Sequence, residues 1–272
     1  MKKNRKWLMD LIMLPLCFVI SYPFLYVIMG AFKSRMEFAK NPFGLPGTIT
    51  FDNFQTAFSG VSFLRILWNN ILIAGLSVAL VTLISAMAAY AVVYNRSTFN
   101  KGLRIYLLLG FFIPFQATLL PLYQIFSKLG LMDKIWGVVL LYSGAVSLPF
   151  SMFYGSIQNL PRDLAEAAWM DGCGAGKTFF RIIFPLTKPV AVTVVIFTFF
   201  SSWNNYLAPS LFLTSRDKGV LILEVTRAAS RNVVDWGRTF AVVVITLILP
   251  FLFFLCAQKY LIKGMVAGSI KG

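Results

Sequence analysis

The run Gly172-Cys173-Gly174-Ala175-Gly176-Lys177-Thr178 is the first stretch of this chain whose residue types suggest chemistry. Closely spaced glycines ending in Lys-Thr are what a phosphate-binding loop of the form GxxxxGK[ST] requires. The spacing fails by one residue. The position that should be glycine is Asp171, whose carboxylate would face phosphate oxygens, and the segment before it reads as helix rather than strand. ATP is therefore not expected on this chain, and the glycines read as a turn between two short helices. Other chemistries lack their reagents. There is no histidine, the commonest general base and metal ligand. Cys17, Cys173 and Cys256 lie far apart without metal-ligand spacing. No metal and no resident cofactor is expected.

The elements that position these residues follow from composition. The 272 residues are 58% hydrophobic, 16% aromatic and 13% charged, with a mean hydropathy of +0.75, far from the balance of a soluble domain. Apolar runs long enough to cross a hydrocarbon core of ~30 Å recur at about residues 8–30, 66–94, 104–127, 135–157, 182–213 and 239–260. The chain reads as an all-α membrane protein of about six transmembrane helices, one transmembrane domain over residues 1–272. The apolar run after Lys2, Lys3, Arg5 and Lys6 is too long for a secretory signal core and reads as a retained first span. Prolines 15, 23, 114, 121, 149, 185, 189, 209 and 250 fall in or at the ends of these runs and predict kinks rather than breaks.

The net charge of +15 invites a nucleic-acid reading, but the basic residues sit in short links between apolar runs, with no folded basic face. Lipid, not nucleic acid, is the expected surroundings. An amino terminus on the cytoplasmic side puts Lys2 to Lys6, Arg96, Lys101, Arg104, Arg162, Lys177, Arg181, Lys188, Lys259, Lys263 and Lys271 inside, and leaves the longer, more acidic links outside. Both termini are then cytoplasmic. Span interiors carry almost no ionisable groups, with Asp10 and Lys188 near ends. Ion-coupled carriers need buried carboxylates or cations to hold the coupling ion, and an intramembrane enzyme needs a nucleophile with a base or a metal cluster. With neither in view, the energy for any uphill movement must enter from a partner.

The longest polar stretch on the expected inner side runs from Leu160 to Pro189, with a cytoplasmic loop at residues 160–181. Pro161 suits a first helical position, Asp163 and Glu166 favour the positive end of the helix dipole, and Leu164, Ala165, Ala167 and Ala168 propagate the helix. Gly172 is placed to stop it as a left-handed cap. The alanines should leave a low-relief surface for another protein, with Glu166 as the charge beside them. Residues 261–272 form an expected cytoplasmic tail.

The arrangement Glu166-Ala167-Ala168, three residues, Gly172, nine residues, Ile182, one residue, then Phe184-Pro185 resembles the cytoplasmic loop of ABC-importer permeases, departing from it at Phe184, where leucine is usual. Asn41-Pro42-Phe43-Gly44-Leu45-Pro46, Pro121-Leu122-Tyr123, Leu129-Gly130-Leu131, Trp203-Asn204-Asn205 and the ending Gly264 to Gly272 are similar to the maltose-type, carbohydrate-uptake branch. The resemblance implies a type I importer permease for a carbohydrate, a di- or oligosaccharide, with glycerol phosphate or a polyol as the alternative. It implies a heterodimer with a second homologous permease, two cytoplasmic ATPase subunits that carry ATP and Mg, and an extracellular solute-binding protein.

It further implies that Asp163, Glu166, Ala167, Ala168, Asp171, Gly172 and Gly176 couple to an ATPase, and that Gly264, Gly268 and Lys271 of the tail contact the ATPase pair. Arg227, Arg231 and Asp235, on the link that touches the binding protein in such permeases, are the expected docking residues, or else line a solvated loop near headgroups. Trp203, Asn204 and Asn205, with Gln116 and Tyr123, either line the pathway or bond neighbouring helices.

Overall fold

The computed structural model describes residues 3–59, 62–95, 97–230 and 235–269, and among these every regular element is helical. In chain order they are α1 (Lys3–Ala31), α2 (Arg35–Lys40), α3 (Asp52–Ser59), α4 (Phe63–Tyr94), α5 (Thr98–Leu109), α6 (Phe115–Lys128), α7 (Ile135–Ser143), α8 (Ser147–Gln158) and α9 (Asp163–Met170). There follow α10 (Ala175–Thr178), α11 (Phe184–Leu186), α12 (Lys188–Trp203), α13 (Leu207–Phe212), α14 (Leu221–Ala229) and α15 (Trp236–Ser269). Helix suits a backbone in lipid, since each segment satisfies its own N–H and C=O groups.

Three helices hold single apolar stretches of spanning length, Asp10–Ala31, Phe63–Tyr94 and Trp236–Tyr260. Three bent helix pairs reach that length and hydropathy only when taken together: Thr98–Phe112 with Phe115–Lys128 at 109°, Ile135–Ser143 with Ser147–Gln158 at 45°, and Ala175–Leu186 with Lys188–Trp203 at 80°; counting each pair as one span gives six among the described residues. The kinks expected at proline are thus breaks at two places. Before Pro114, Ile113 is pushed to φ −87, ψ 113, because the pyrrolidine ring excludes the α region from the preceding residue. Near Pro185 and Pro189, Thr187 leaves the helix at φ −87, ψ 7 and turns its hydroxyl onto the Phe184 carbonyl at 2.9 Å. By contrast, Pro15, Pro23, Pro121 and Pro250 are carried inside continuous helices.

The chain forms two compact units. The first, residues 1–65 and 221–249, is centred on Ala31, Phe240 and Ala241, with Tyr26, Val27, Phe38 and Phe54 packed around them. Gly30 permits that packing, since a Cβ there would sit 2.4 Å from the Phe240 ring. Asn53 donates to the carbonyls of Ala31 and Lys33 at 2.9 and 2.8 Å, which satisfies acceptors left over at the end of α1. The second unit, residues 66–220 and 250–272, has a core of Val81, Ala86, Ala89, Phe150, Phe153, Ile157, Ala165, Phe179, Ile183 and Val194. The candidate coupling segment belongs to this unit.

Candidate functional site

α9 begins two residues after Pro161 and ends where Gly172 was expected to stop it. Gly172 takes φ +78; its N–H donates to the Trp169 carbonyl at 3.0 Å, and the Cys173 N–H to the Ala168 carbonyl at 2.9 Å. This pair of bonds is the Schellman closure, which satisfies orphan carbonyls at a helix end and needs a residue free to adopt left-handed backbone. The following Gly174–Thr178 run is a cap leading into α10, so the lysine and threonine of the loop-like motif sit on a helical turn. Phe179–Ile183 then widens to a π-helix, with Phe179 and Ile183 buried.

Burial sorts the faces of α9. Ala165 and Ala168 are 0% and 5% exposed, so these two alanines seat the helix on the unit core rather than present it outward. The expectation of an alanine-paved outer surface is corrected on this point: small side chains at i and i+3 let α9 lie close to the bundle. The outward stripe is Asp163, Glu166, Ala167 and Met170, at i, i+3, i+4 and i+7, with Met170 88% exposed. Leu164 and Trp169, 39% and 40% exposed, flank it, and it carries two carboxylates at the positive end of the helix and an exposed thioether at the other. Asp171 is the C-cap and exposed; a Cβ on Gly176 would meet nothing within 4 Å, so this chain's own packing does not demand that glycine. Behind α9, Trp169 meets the Tyr94 ring edge-on at 5.8 Å, and a cavity of about 390 Å³ opens between these rings, Tyr90, Phe179 and Phe180.

Most of the remaining candidates have a local role. Trp203 is 2% exposed and stacked on Phe199 at 5.4 Å, a core residue rather than a pathway wall. Asn205 accepts from the Ala208 N–H at 3.0 Å, which starts α13, while Asn204 caps α12 and is exposed. Gln116 is exposed, and Tyr123 is 43% exposed with its ring edge toward Phe212. Arg227 pairs with Glu224 one helical turn earlier on α14. Asp235 accepts from the Arg238 N–H at 3.2 Å and so caps α15. Arg231 and Lys271 lie outside the described residues. Gly264 and Gly268 stand within the helical backbone of α15, which continues to Ser269, so the expected tail begins as an extension of the last span.

Sequence reasoning missed Lys33. It is 1% exposed, and its ammonium donates to the carbonyls of Asn41 and Pro42 at 2.8 and 3.2 Å. The Asn41 side chain in turn accepts from the Gly44 N–H at 2.9 Å, and a Cβ on Gly44 would sit 2.1 Å from that amide. Asn41-Pro42-Phe43-Gly44 is therefore a buckle folded over a buried lysine. A charged residue next to the end of an apolar run was the available signal.

A family model described as "binding-protein-dependent transport system inner membrane component" matches residues 81–266. The chain is 32% identical to the diacetylchitobiose uptake system permease protein of Streptomyces coelicolor over 92% of this chain and 83% of that protein. It is also 32% identical to the multiple sugar-binding transport system permease protein of Streptococcus mutans, over 93% and 92%. The arabinooligosaccharides transport system permease protein of Halalkalibacterium halodurans is 30% identical over 98% and 96%. In fold it is similar to a chain of a bacterial ABC transporter involved in import of the acidic polysaccharide alginate, with a TM-score of 0.85 at 18% identity, over 96% and 98% of the two chains.

Proposed function

This chain belongs to the binding-protein-dependent transport system inner membrane components, and from that premise we propose that it is the permease subunit of an ABC importer for a di- or oligosaccharide. An extracellular solute-binding protein delivers the solute. The chain pairs with a second homologous permease, and two ATPase subunits bind and hydrolyse ATP on the cytoplasmic side. The site is a prokaryotic cytoplasmic membrane, with both termini inside. This chain contributes no catalytic group.

The observation that carries the reading is the capped α9 with its outward stripe of Asp163, Glu166, Ala167 and Met170. Two alanines hold the helix on the core and the left-handed Gly172 ends it, so a load applied to the stripe is passed to the bundle rather than lost in a loose loop. ATP-driven closure of the ATPase pair would move α9 as a rigid lever and shift the permease from inward- to outward-facing. Changing that equilibrium from 1:99 to 99:1 needs about 5.5 kcal/mol of differential stabilisation. The sugar-transport names of its relatives support the solute class.

Two measurements test the reading. Affinity-tagged chain should bring down an ATPase and a second permease, and in proteoliposomes oligosaccharide with its binding protein should stimulate ATP hydrolysis. Stimulation by a polyol or glycerol phosphate instead reassigns the solute; solute movement by the chain alone, with no ATPase, overturns the reading. The native thiol of Cys173, half-buried beside α9, reports topology. A membrane-impermeant maleimide is expected to label it in inside-out vesicles and not in intact cells. Labelling of intact cells reverses the orientation.

A further inference from the structure

Asp133, between α6 and α7, has φ 55, while all other positive-φ residues among those described are glycines. Its surroundings over-determine that conformation. Its N–H donates to the Phe212 carbonyl at 2.8 Å. One carboxylate oxygen accepts from the N–H groups of Thr214 at 3.0 Å and Ser215 at 2.8 Å. The other accepts from the Ser215 hydroxyl and, at 2.8 Å, from the Lys218 ammonium. The same link is held from another direction by Asn69 of α4, 4% exposed, which donates to the carbonyls of Asp217 at 2.9 Å and Gly219 at 3.1 Å. Three segments distant in sequence are thus tied by side-chain-to-backbone bonds: the beginning of α4, the entry to α7 and the link after α13.

A left-handed aspartate is uncommon and costs free energy, so it persists where several contacts fix it. Burial works against its charge, but the Lys218 ammonium, the Ser215 hydroxyl and the N–H groups of Ser215 and Thr214 outweigh it and hold the carboxyl well below the usual carboxylate range. The group is therefore a carboxylate at neutral pH, able to accept all of these bonds at once.

We propose that Asp133 is a positioning residue that pins the 213–219 link to the start of α7, completing the tie that Asn69 makes between that link and the start of α4, so that these segments move as one body during transport. The inference rests on the permease reading, in which this end of the unit faces outward, where a delivered solute must enter. Rigid-body alternating access requires that the outer ends follow the lever at the inner face. With the pin removed, the link opens locally and the outer ends lag behind a lever that still moves. Hydrolysis then continues while fewer solutes cross per ATP.

The test compares the purified importer, reconstituted with its ATPase and binding protein, carrying Asp133→Gly, Asp133→Asn or Lys218→Met. Glycine suits φ 55 and removes the carboxylate; asparagine tolerates that backbone and keeps one acceptor oxygen; methionine removes the ion pair alone. For Asp133→Gly, tryptic cleavage after Arg216 should rise about tenfold and solute taken up per ATP hydrolysed should fall about fivefold, at unchanged amounts of assembled complex. Asp133→Asn, which loses the ion pair and one acceptor oxygen, should lie between, and Lys218→Met, which loses the ion pair alone, should stay nearer wild type. Should glycine prevent assembly, the asparagine and methionine variants still have to differ from wild type in this order. Wild-type cleavage in all three overturns the pin, and so does faster cleavage with unchanged uptake per ATP. Wild-type importer whose hydrolysis no solute stimulates counts against the permease reading, while the cleavage rates decide the pin separately.

Discussion

Gly172→Val is expected to lower solute uptake at least about tenfold while leaving the amount of membrane-inserted chain unchanged. The physical reason is local. At φ +78 a β-branched side chain meets the backbone, at a cost of about 1–2 kcal/mol for left-handed geometry alone. If the chain escapes by leaving that region, it gives up the bonds from Gly172 to Trp169 and from Cys173 to Ala168, each contributing about 0.5–1.5 kcal/mol. α9 has only 8 residues, and helices this short depend on their ends and their seating rather than on propensity. Either outcome blurs the outward stripe of Asp163, Glu166, Ala167 and Met170. Gly172→Asn, which tolerates left-handed backbone, should retain most uptake, and Glu166→Ala should weaken retention of the ATPase less than Gly172→Val does. The measurements are oligosaccharide uptake in proteoliposomes and ATPase recovered on tagged chain. Equal uptake in the valine and wild-type importers removes the lever from the account.

What the sequence reveals about this segment divides by distance along the chain. The stop at Gly172 is written in one residue, because a left-handed cap is a local demand. The choice of which alanines face inward is not local: Ala165 is buried because Phe179 and Ile183, beyond the turn, complete the core it joins, and Ala168 is buried one turn further on. The bent spans show the same division. Pro114 and the pair Pro185 and Pro189 mark where helices stop, yet angles of 109° and 80° depend on what the second half packs against. Asp133 was invisible for the same reason. The partners of its carboxylate lie 81 to 85 positions away, and nothing in Leu129-Gly130-Leu131-Met132-Asp133 announces them.

Lys33→Ala is expected to be the most destabilising single change in the first unit, lowering the thermal midpoint of the purified chain by about 5 °C or more. A lysine 1% exposed gives up hydration of its ammonium, a loss offset here by the carbonyls of Asn41 and Pro42 and by the Phe38 ring 5.9 Å from the nitrogen. Truncation removes the donor, strands two partly buried acceptors at about 1–3 kcal/mol each, and leaves a void beneath the Asn41–Gly44 buckle. Lys33→Met separates these effects, since it fills the same volume without donating. If lost packing dominates, methionine restores the midpoint; if the ammonium is what closes the buckle, methionine behaves like alanine. The second outcome is expected, because Asn41 and Gly44 already hold the turn between themselves, and what they lack without Lys33 is an attachment to the end of α1. That attachment is doubly fixed, for the Lys33 carbonyl accepts from Asn53 while its side chain reaches the buckle. A methionine variant as stable as wild type would show that the lysine stem, not its charge, holds this corner.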